Sequence, residues 1–197
     1  MTYKNFTKYT RFLSVLSISL LIIISGANAQ NSPFIAEGSQ TPFGNLDKTP
    51  MLGNVVYSRQ PDENTIPMLK DKGFDLVLSV RFDDEPVGFD AREIIEKNGM
   101  SFVQISYFKG SIKDQPRQVD DQAVEQIRQV LEGSLAGGSK VLMHCQSGQR
   151  AAAALGSILY RDYGFSKEEA RKYAEKAGLT SKNTGAVYDQ YIDGIKR

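Results

Sequence analysis

The chain has 197 residues, 24 Lys and Arg against 23 Asp and Glu, one Cys and one His. That balance offers no basic field for nucleic acid or anionic membranes. A lone Cys excludes an intrachain disulfide framework, and a lone His beside it leaves no His/Cys set for a metal.

The first segment reads as a secretory leader. Lys4, Lys8 and Arg11 precede an apolar run from Phe12 to Ile24, and Ala27-Asn28-Ala29 follows it. The apolar core is about a dozen residues, short of the ~20 that a membrane-spanning helix needs. Cleavage is expected after Ala29, giving a secreted or periplasmic protein with no membrane attachment. Removing the three basic residues of the leader leaves 21 Lys and Arg against 23 acidic residues. About 168 residues remain, enough for one domain.

Residues 30–51 hold Pro33, Pro42, Pro50, Gly38 and Gly44 with little apolar periodicity, and are expected to form an extended lead-in. The domain is expected over 52–197. Asn54 to Ser58 reads as a short strand, and Gln60-Pro-Asp-Glu63 as the opening of a helix carrying Ile66, Met68 and Leu69, closed by Gly73. Asp75 to Val80 reads as a buried parallel strand, and about Phe89 to Lys97 as a helix ended by Gly99. Ser101 to Tyr107 is a further strand. Val119, Ala123, Val124, Ile127, Val130 and Leu131 share one face of a long helix stopped by Gly137-Gly138.

Lys140 to His144 is the last buried strand and runs into a helix from about Gln149 to Tyr163. Two more helices are expected, near Ser166 to Ala177, with Ser166 and Glu169 as a capping box, and near Lys182 to Lys196. Strands alternating with helices indicate an α/β fold in three layers, a mostly parallel sheet of four to five strands flanked by helices.

The chemistry concentrates in His144-Cys-Gln-Ser-Gly-Gln-Arg150, between a strand end and a helix start. Helix N-terminal amides and a left-handed turn at Gly148 suit an oxyanion. The same field favours the thiolate of Cys145, the reactive alternative to an inert buried thiol or an intermolecular link. Arg150 has the planar donor fork that holds a phosphate-like group. Gln146, Ser147, Gly148 and Gln149 are the candidate substrate-binding residues of the loop. His144 is read as shaping the loop rather than acting as a base. Arg81 is read as a structural ion pair with Glu96 or another carboxylate, and Asp83, Asp84 and Glu85 as a solvated loop. The run Ala151 to Ala154 is read as letting its helix approach the sheet closely.

This segment resembles the signature loop of the cysteine-based protein tyrosine and dual-specificity phosphatases, His-Cys-x-x-Gly-x-x-Arg, with Cys145 and Gly148 in register and the Arg one residue early. The resulting Cys-x4-Arg loop is also similar to rhodanese-type sulfurtransferases and to a phosphatase-like branch related to the beta-lactamase hydrolase-like family. Tyr57 to Pro61, Leu69 to Gly73, Val77 to Arg81 and Glu96 to Gly99 resemble that branch over about Leu52 to Leu179. The resemblance implies hydrolysis of a phosphate monoester through a phosphocysteine, without a cofactor. It places the general acid about thirty residues before the nucleophile, where Asp114 stands, with Asp120 and Asp121 as fallbacks. Two alternatives stay open: a sulfurtransferase carrying a Cys145 persulfide, and a non-catalytic module that binds an oxyanion. The partner in each case is a phosphorylated or sulfur-containing anion.

Overall fold

Alternation along the apolar runs sends successive side chains to opposite faces of a sheet, and two separate apolar layers result. The computed structural model describes residues 31–196, so the expected leader lies outside the described residues. Strands β1 (Glu37–Gly38), β2 (Met51–Leu52), β3 (Val55–Arg59), β4 (Leu76–Ser79), β5 (Ser101–Gln104) and β6 (Val141–Cys145) form one sheet in the order β1-β2-β3-β6-β4-β5. The strands from β3 to β6 pair in parallel, with Val55 beside Val141 and Leu76 also beside Val141. The two short strands add antiparallel at the β3 edge, which takes the sheet one strand past the expected number.

Val55, Tyr57, Leu76, Leu78, Val141 and Met143 face one layer, built from helices α3 (Asp121–Ala136), α4 (Gln149–Asp162), α5 (Lys167–Lys176) and α6 (Lys182–Gly194). Val56, Val77 and Leu142 face the other, built from α1 (Ile66–Asp71) and α2 (Ala91–Lys97). This is the expected three-layer α/β arrangement. Helix α4 lies at the centre of the larger layer, and its residues Ala151, Ala152, Ala153 and Ala154 are fully buried. Consecutive positions spread these methyl groups around the helix, so it packs closely against the sheet on one side and against its neighbouring helices on the others. Helix α5 opens on the capping box of Ser166 and Glu169, and α3 on Asp120, whose carboxylate accepts from the backbone N–H groups of Gln122 and Ala123.

Two expected elements are shorter than the patterns suggested. Helix α1 starts at Ile66 rather than near Pro61, because Asp62 Oδ1 accepts from the Thr65 N–H at 2.8 Å and closes a turn first. Strand β5 ends at Gln104, although Tyr107 remains fully buried beyond it.

The lead-in differs from expectation more consequentially. Over 31–50 it packs onto the domain instead of trailing from it. Phe34 is fully buried in the larger layer and meets Tyr163 edge to face, with ring centroids 5.5 Å apart. Phe43 and Leu46 are buried in the smaller layer. Prolines and glycines hid these anchors because the three aromatic and aliphatic residues follow no helical or strand period. Lys140 Nζ donates to Gln40 Oε1 at 2.6 Å and ties the segment down. Phe34→Ala is therefore expected to lower unfolding stability by about 3 kcal/mol, read from urea denaturation, where a detached lead-in gives no change.

Candidate active site

The parallel strands β3, β6 and β4 end at one edge of the sheet, and the loops that leave them converge there. Open α/β sheets place ligands in this crevice beyond the carboxyl ends of the strands. Cys145 is the last residue of the central strand, and Gly148 is the N-cap of α4. Gly148 has φ 86°, and a Cβ there would meet the carbonyl of Ser58 at 3.2 Å. The left-handed backbone favours glycine, and a side chain would also crowd the Ser58 carbonyl. The turn directs the first, unpaired N–H groups of α4 toward the space beyond Cys145.

Arg150 lies in the first turn of α4, in electrostatic reach of the Cys145 sulfur. Its guanidinium makes a two-pronged pair with Glu85, Nη1 to Oε2 at 2.7 Å and Nη2 to Oε1 at 2.9 Å. Glu85 also pairs with Arg81, Nη2 to Oε1 at 3.3 Å. Arg81 in turn donates to Gln60 Oε1 at 3.1 Å and to the Pro86 carbonyl at 2.7 Å. The side chains are 4% exposed for Glu85, 5% for Arg81 and 11% for Arg150, so the triad is shielded from water. Burial alone would raise the Glu85 carboxyl, but the hydrogen bonds and charges of Arg150 and then Arg81 hold it below the usual carboxylate range. Burial works against the Arg150 cation too, and Glu85 and Cys145 outweigh it. Two cations and one carboxylate leave one net positive charge next to the thiol.

His144 is fully enclosed, and beyond the Cys145 backbone its ring nitrogens find no polar partner among the described residues. Burial, with Arg81 and Arg150 adding repulsion, pushes its imidazole down to about 3. It is neutral at ordinary pH and unsuited to carrying a proton, in line with a shaping role.

A cleft of about 540 Å³ opens over this edge. Gln146, Arg150 and Glu85 line it at one end, Phe82, Phe108, Ile112 and Pro116 form one wall, and α6 forms the other. Cys145 itself is 1% exposed and lies beneath the cleft, which Gln146, the residue after it, reaches. Ser147 is exposed and bridges to Arg59. The Gln149 side chain turns away. Its Nε2 donates to the Gly178 carbonyl and Thr180 Oγ1 at 3.0 and 3.3 Å, and its Oε1 accepts from the N–H groups of Thr180 and Ser181, both at 2.8 Å. Gln149 thus joins the start of α4 to the start of α6.

Asp114 is exposed and accepts from the Ser111 N–H at 2.8 Å within its own loop; it does not line the cleft. Of the fallbacks, Asp120 caps α3, and Asp121 accepts from Tyr191 Oη at 2.6 Å. Asp84 holds the same loop through Ser111 Oγ and the Ile112 N–H. Arg117 completes that loop by donating to the carbonyls of Ser111, Ile112 and Asp114, with its guanidinium 4.7 Å from the Phe82 ring centroid. Arg150 lies 5.5 Å from the same ring.

Arg81 forms the structural ion pair expected of it, with Glu85 as the carboxylate; Glu96 pairs with Arg92 instead. The reading of Glu85 as solvated is corrected here. Asp83 and Asp84 are exposed, while Glu85 turns inward and is the residue that sequence reasoning missed. The available signal was an i,i+4 Arg and Glu immediately after a buried strand. Among the described residues no cluster of His, Cys, Asp and Glu is arranged to hold a metal ion, and no helix is long and apolar enough to cross a membrane.

Solved structures share this fold. TpbA from P. aeruginosa in complex with pTyr superposes with TM-score 0.59 at 17% identity, over 85% of this chain and 93% of that one. Tk-PTP in its active form gives 0.55 at 22% identity, over 72% and 92%. A putative phosphatase (DUF442) from Shewanella putrefaciens CN-32 gives 0.52 at 18%, over 83% and 93%. This chain therefore has the fold seen in these phosphatase structures. No protein-family model matches the sequence, and no curated protein matches it. Within this phosphatase fold, Cys145 and Arg150 occupy the strand-to-helix turn from which the sequence resemblance was drawn.

Two outcomes are expected. Glu85→Gln leaves two buried guanidinium groups without their shared counter-charge, and should lower unfolding stability by about 3 kcal/mol in urea titrations. The second concerns pH. Because His144 is held below its ordinary 6.5, the unfolded chain binds its proton first as pH falls, so this contribution to stability is lost between pH 6.5 and about 3. His144→Asn should flatten the wild-type loss across that window, by at most about 1.4 kcal/mol per pH unit.

Proposed function

We propose that the chain is an exported, cysteine-dependent phosphatase that hydrolyses phosphate monoesters through a phosphocysteine. The observation that carries the reading is the placement of Cys145 between the central strand and the first turn of α4, with the Arg150 guanidinium beside its sulfur. Export is supported by the leader pattern of residues 1–29, with its short apolar core and small residues at the end.

In the first step the Cys145 sulfur forms a bond to phosphorus, and the bond from phosphorus to the ester oxygen breaks, its electron pair leaving with that oxygen. The backbone N–H groups of 146–150 and the Arg150 fork would hold the three equatorial phosphoryl oxygens. In the second step a water oxygen attacks phosphorus, the bond from phosphorus to sulfur breaks with the sulfur departing as thiolate, and inorganic phosphate is released carrying both protons of the water. Phosphate and Glu85 compete for the same guanidinium, so Arg150 gives up part of its pair to grip the substrate. Arg81 then keeps Glu85 neutralised.

Proton donation to the leaving oxygen is the weakly equipped part of the cleft. Among the described residues that line it, Glu85 is the one carboxylate and is already ion-paired, and Asp114 acts only if it exchanges the Ser111 N–H for the substrate. The reading therefore favours aryl phosphates, whose phenolate departs without a full proton transfer.

The Cys-x4-Arg spacing supports a sulfurtransferase as the competing chemistry, and one experiment separates the two. Wild type and Cys145→Ser are incubated separately with p-nitrophenyl phosphate and with thiosulfate, and phosphate release and intact mass are measured. Wild type should release phosphate, and the variant should be slower by more than about a thousandfold. An adduct with the mass of one sulfur atom, without phosphate release, rejects the phosphatase in favour of the persulfide chemistry.

A further inference from the structure

The loop 109–117 supplies part of the cleft wall through Ile112, Gln115 and Pro116. Asp114 stands among these residues, yet its carboxylate folds back onto the Ser111 N–H. A Cβ on Gly110 would lie 2.2 Å from that carboxylate, so the folded-back position depends on a glycine there. The base of the loop is closed by the Lys109 N–H on the Gln118 carbonyl at 2.9 Å and by the bridge between Phe108 and Val119. Arg117 ties the loop to itself, through the carbonyls of Ser111, Ile112 and Asp114.

The tip is held differently. Among the described residues, the hydrogen bonds that join residues 110–116 to the rest of the molecule all end on Asp84. Its Oδ2 accepts from Ser111 Oγ, and its Oδ1 accepts from the Ile112 N–H at 3.0 Å. The turn that carries Asp84 is itself anchored, because Gln104 Nε2 donates to Asp83 Oδ1 at 3.0 Å and to the Phe82 carbonyl at 3.4 Å. The next residue is Glu85, which holds Arg150. Two adjacent carboxylates of one turn therefore grip the cation of the site and the tip of the cleft wall.

We propose that Asp84 is a positioning residue for proton donation by Asp114. Asp114, as the carboxylic acid, leaves the Ser111 N–H and turns to the ester oxygen. Its proton passes to that oxygen as the bond to phosphorus breaks, the electron pair stays with the oxygen, and Asp114 later takes a proton back from solvent. Ser111 stays tied by its hydroxyl and Ile112 by its N–H, so one side chain moves and the loop does not. Without Asp84 the tip hangs from its base alone, and Asp114 loses the orientation that makes its proton effective. This rests on the phosphatase reading above and names the residue that equips its weakest step.

The test reads a ratio, kcat/KM for p-nitrophenyl phosphate over that for phenyl phosphate. Phenolate is the more basic leaving group and needs the proton more. Both substrates meet the same preparation, so any loss of folded protein cancels. The ratio should rise by about tenfold or more in Asp84→Ala and in Asp114→Asn. In the double variant it should match that of Asp114→Asn to within about twofold, because Asp84 acts through Asp114. An unchanged ratio in either single variant, or a further rise in the double variant, overturns the role of Asp84 while the phosphatase stands. Absence of p-nitrophenyl phosphate hydrolysis by wild type rejects the phosphatase reading itself, and the role of Asp84 falls with it.

Discussion

A carboxylate shared by two guanidinium groups, all three shielded from water, holds the functional end of this molecule together. Arg81 and Glu85 both come from the loop after β4, and Arg150 from the first turn of α4. Ion pairs at this depth contribute little net stability, because the cost of stripping water from the charges offsets most of their attraction. Their effect is geometric. With its counter-charge held by Arg81 and the Phe82 N–H, the Arg150 fork is aligned by Glu85, and the thiol end of β6 sits beside it.

The fold was legible in the sequence wherever burial on two faces leaves a continuous apolar run. Val141 to His144 and Leu76 to Ser79 are such runs, and both are strands in the core of the sheet. Helices α3 and α5 were legible from apolar spacing and from a capping box. The lead-in was not, because Phe34, Phe43 and Leu46 bind by single side chains dropping into existing layers, a mode with no period to detect. Helix α1 was placed too early because the local turn at Asp62 competes for the same backbone groups.

The site divides in the same way. The positions of Cys145, Gly148 and Arg150 follow from one contiguous loop, so spacing alone locates them at the strand-to-helix turn. Glu85 comes from a different loop, 65 residues before Arg150, and in a run of acidic residues it is indistinguishable from its solvated neighbours until the chain is folded. Asp114 was placed by distance along the chain, whereas its carboxylate direction depends on a loop pinned by Asp84 and Arg117. Contacts between distant segments are what a single sequence records least.

The four hydrogen bonds of Gln149 have a consequence for how the cleft is assembled. A helix that slides by one residue turns its surface by about 100°, enough to swap a lining stripe for a solvated one. By gripping the backbone just ahead of α6, Gln149 indexes that helix against the loop that follows Cys145, as a dowel fixes one plate against another. The two walls of the cleft are then kept in phase by a single amide side chain, and drift in either one is transmitted to the other.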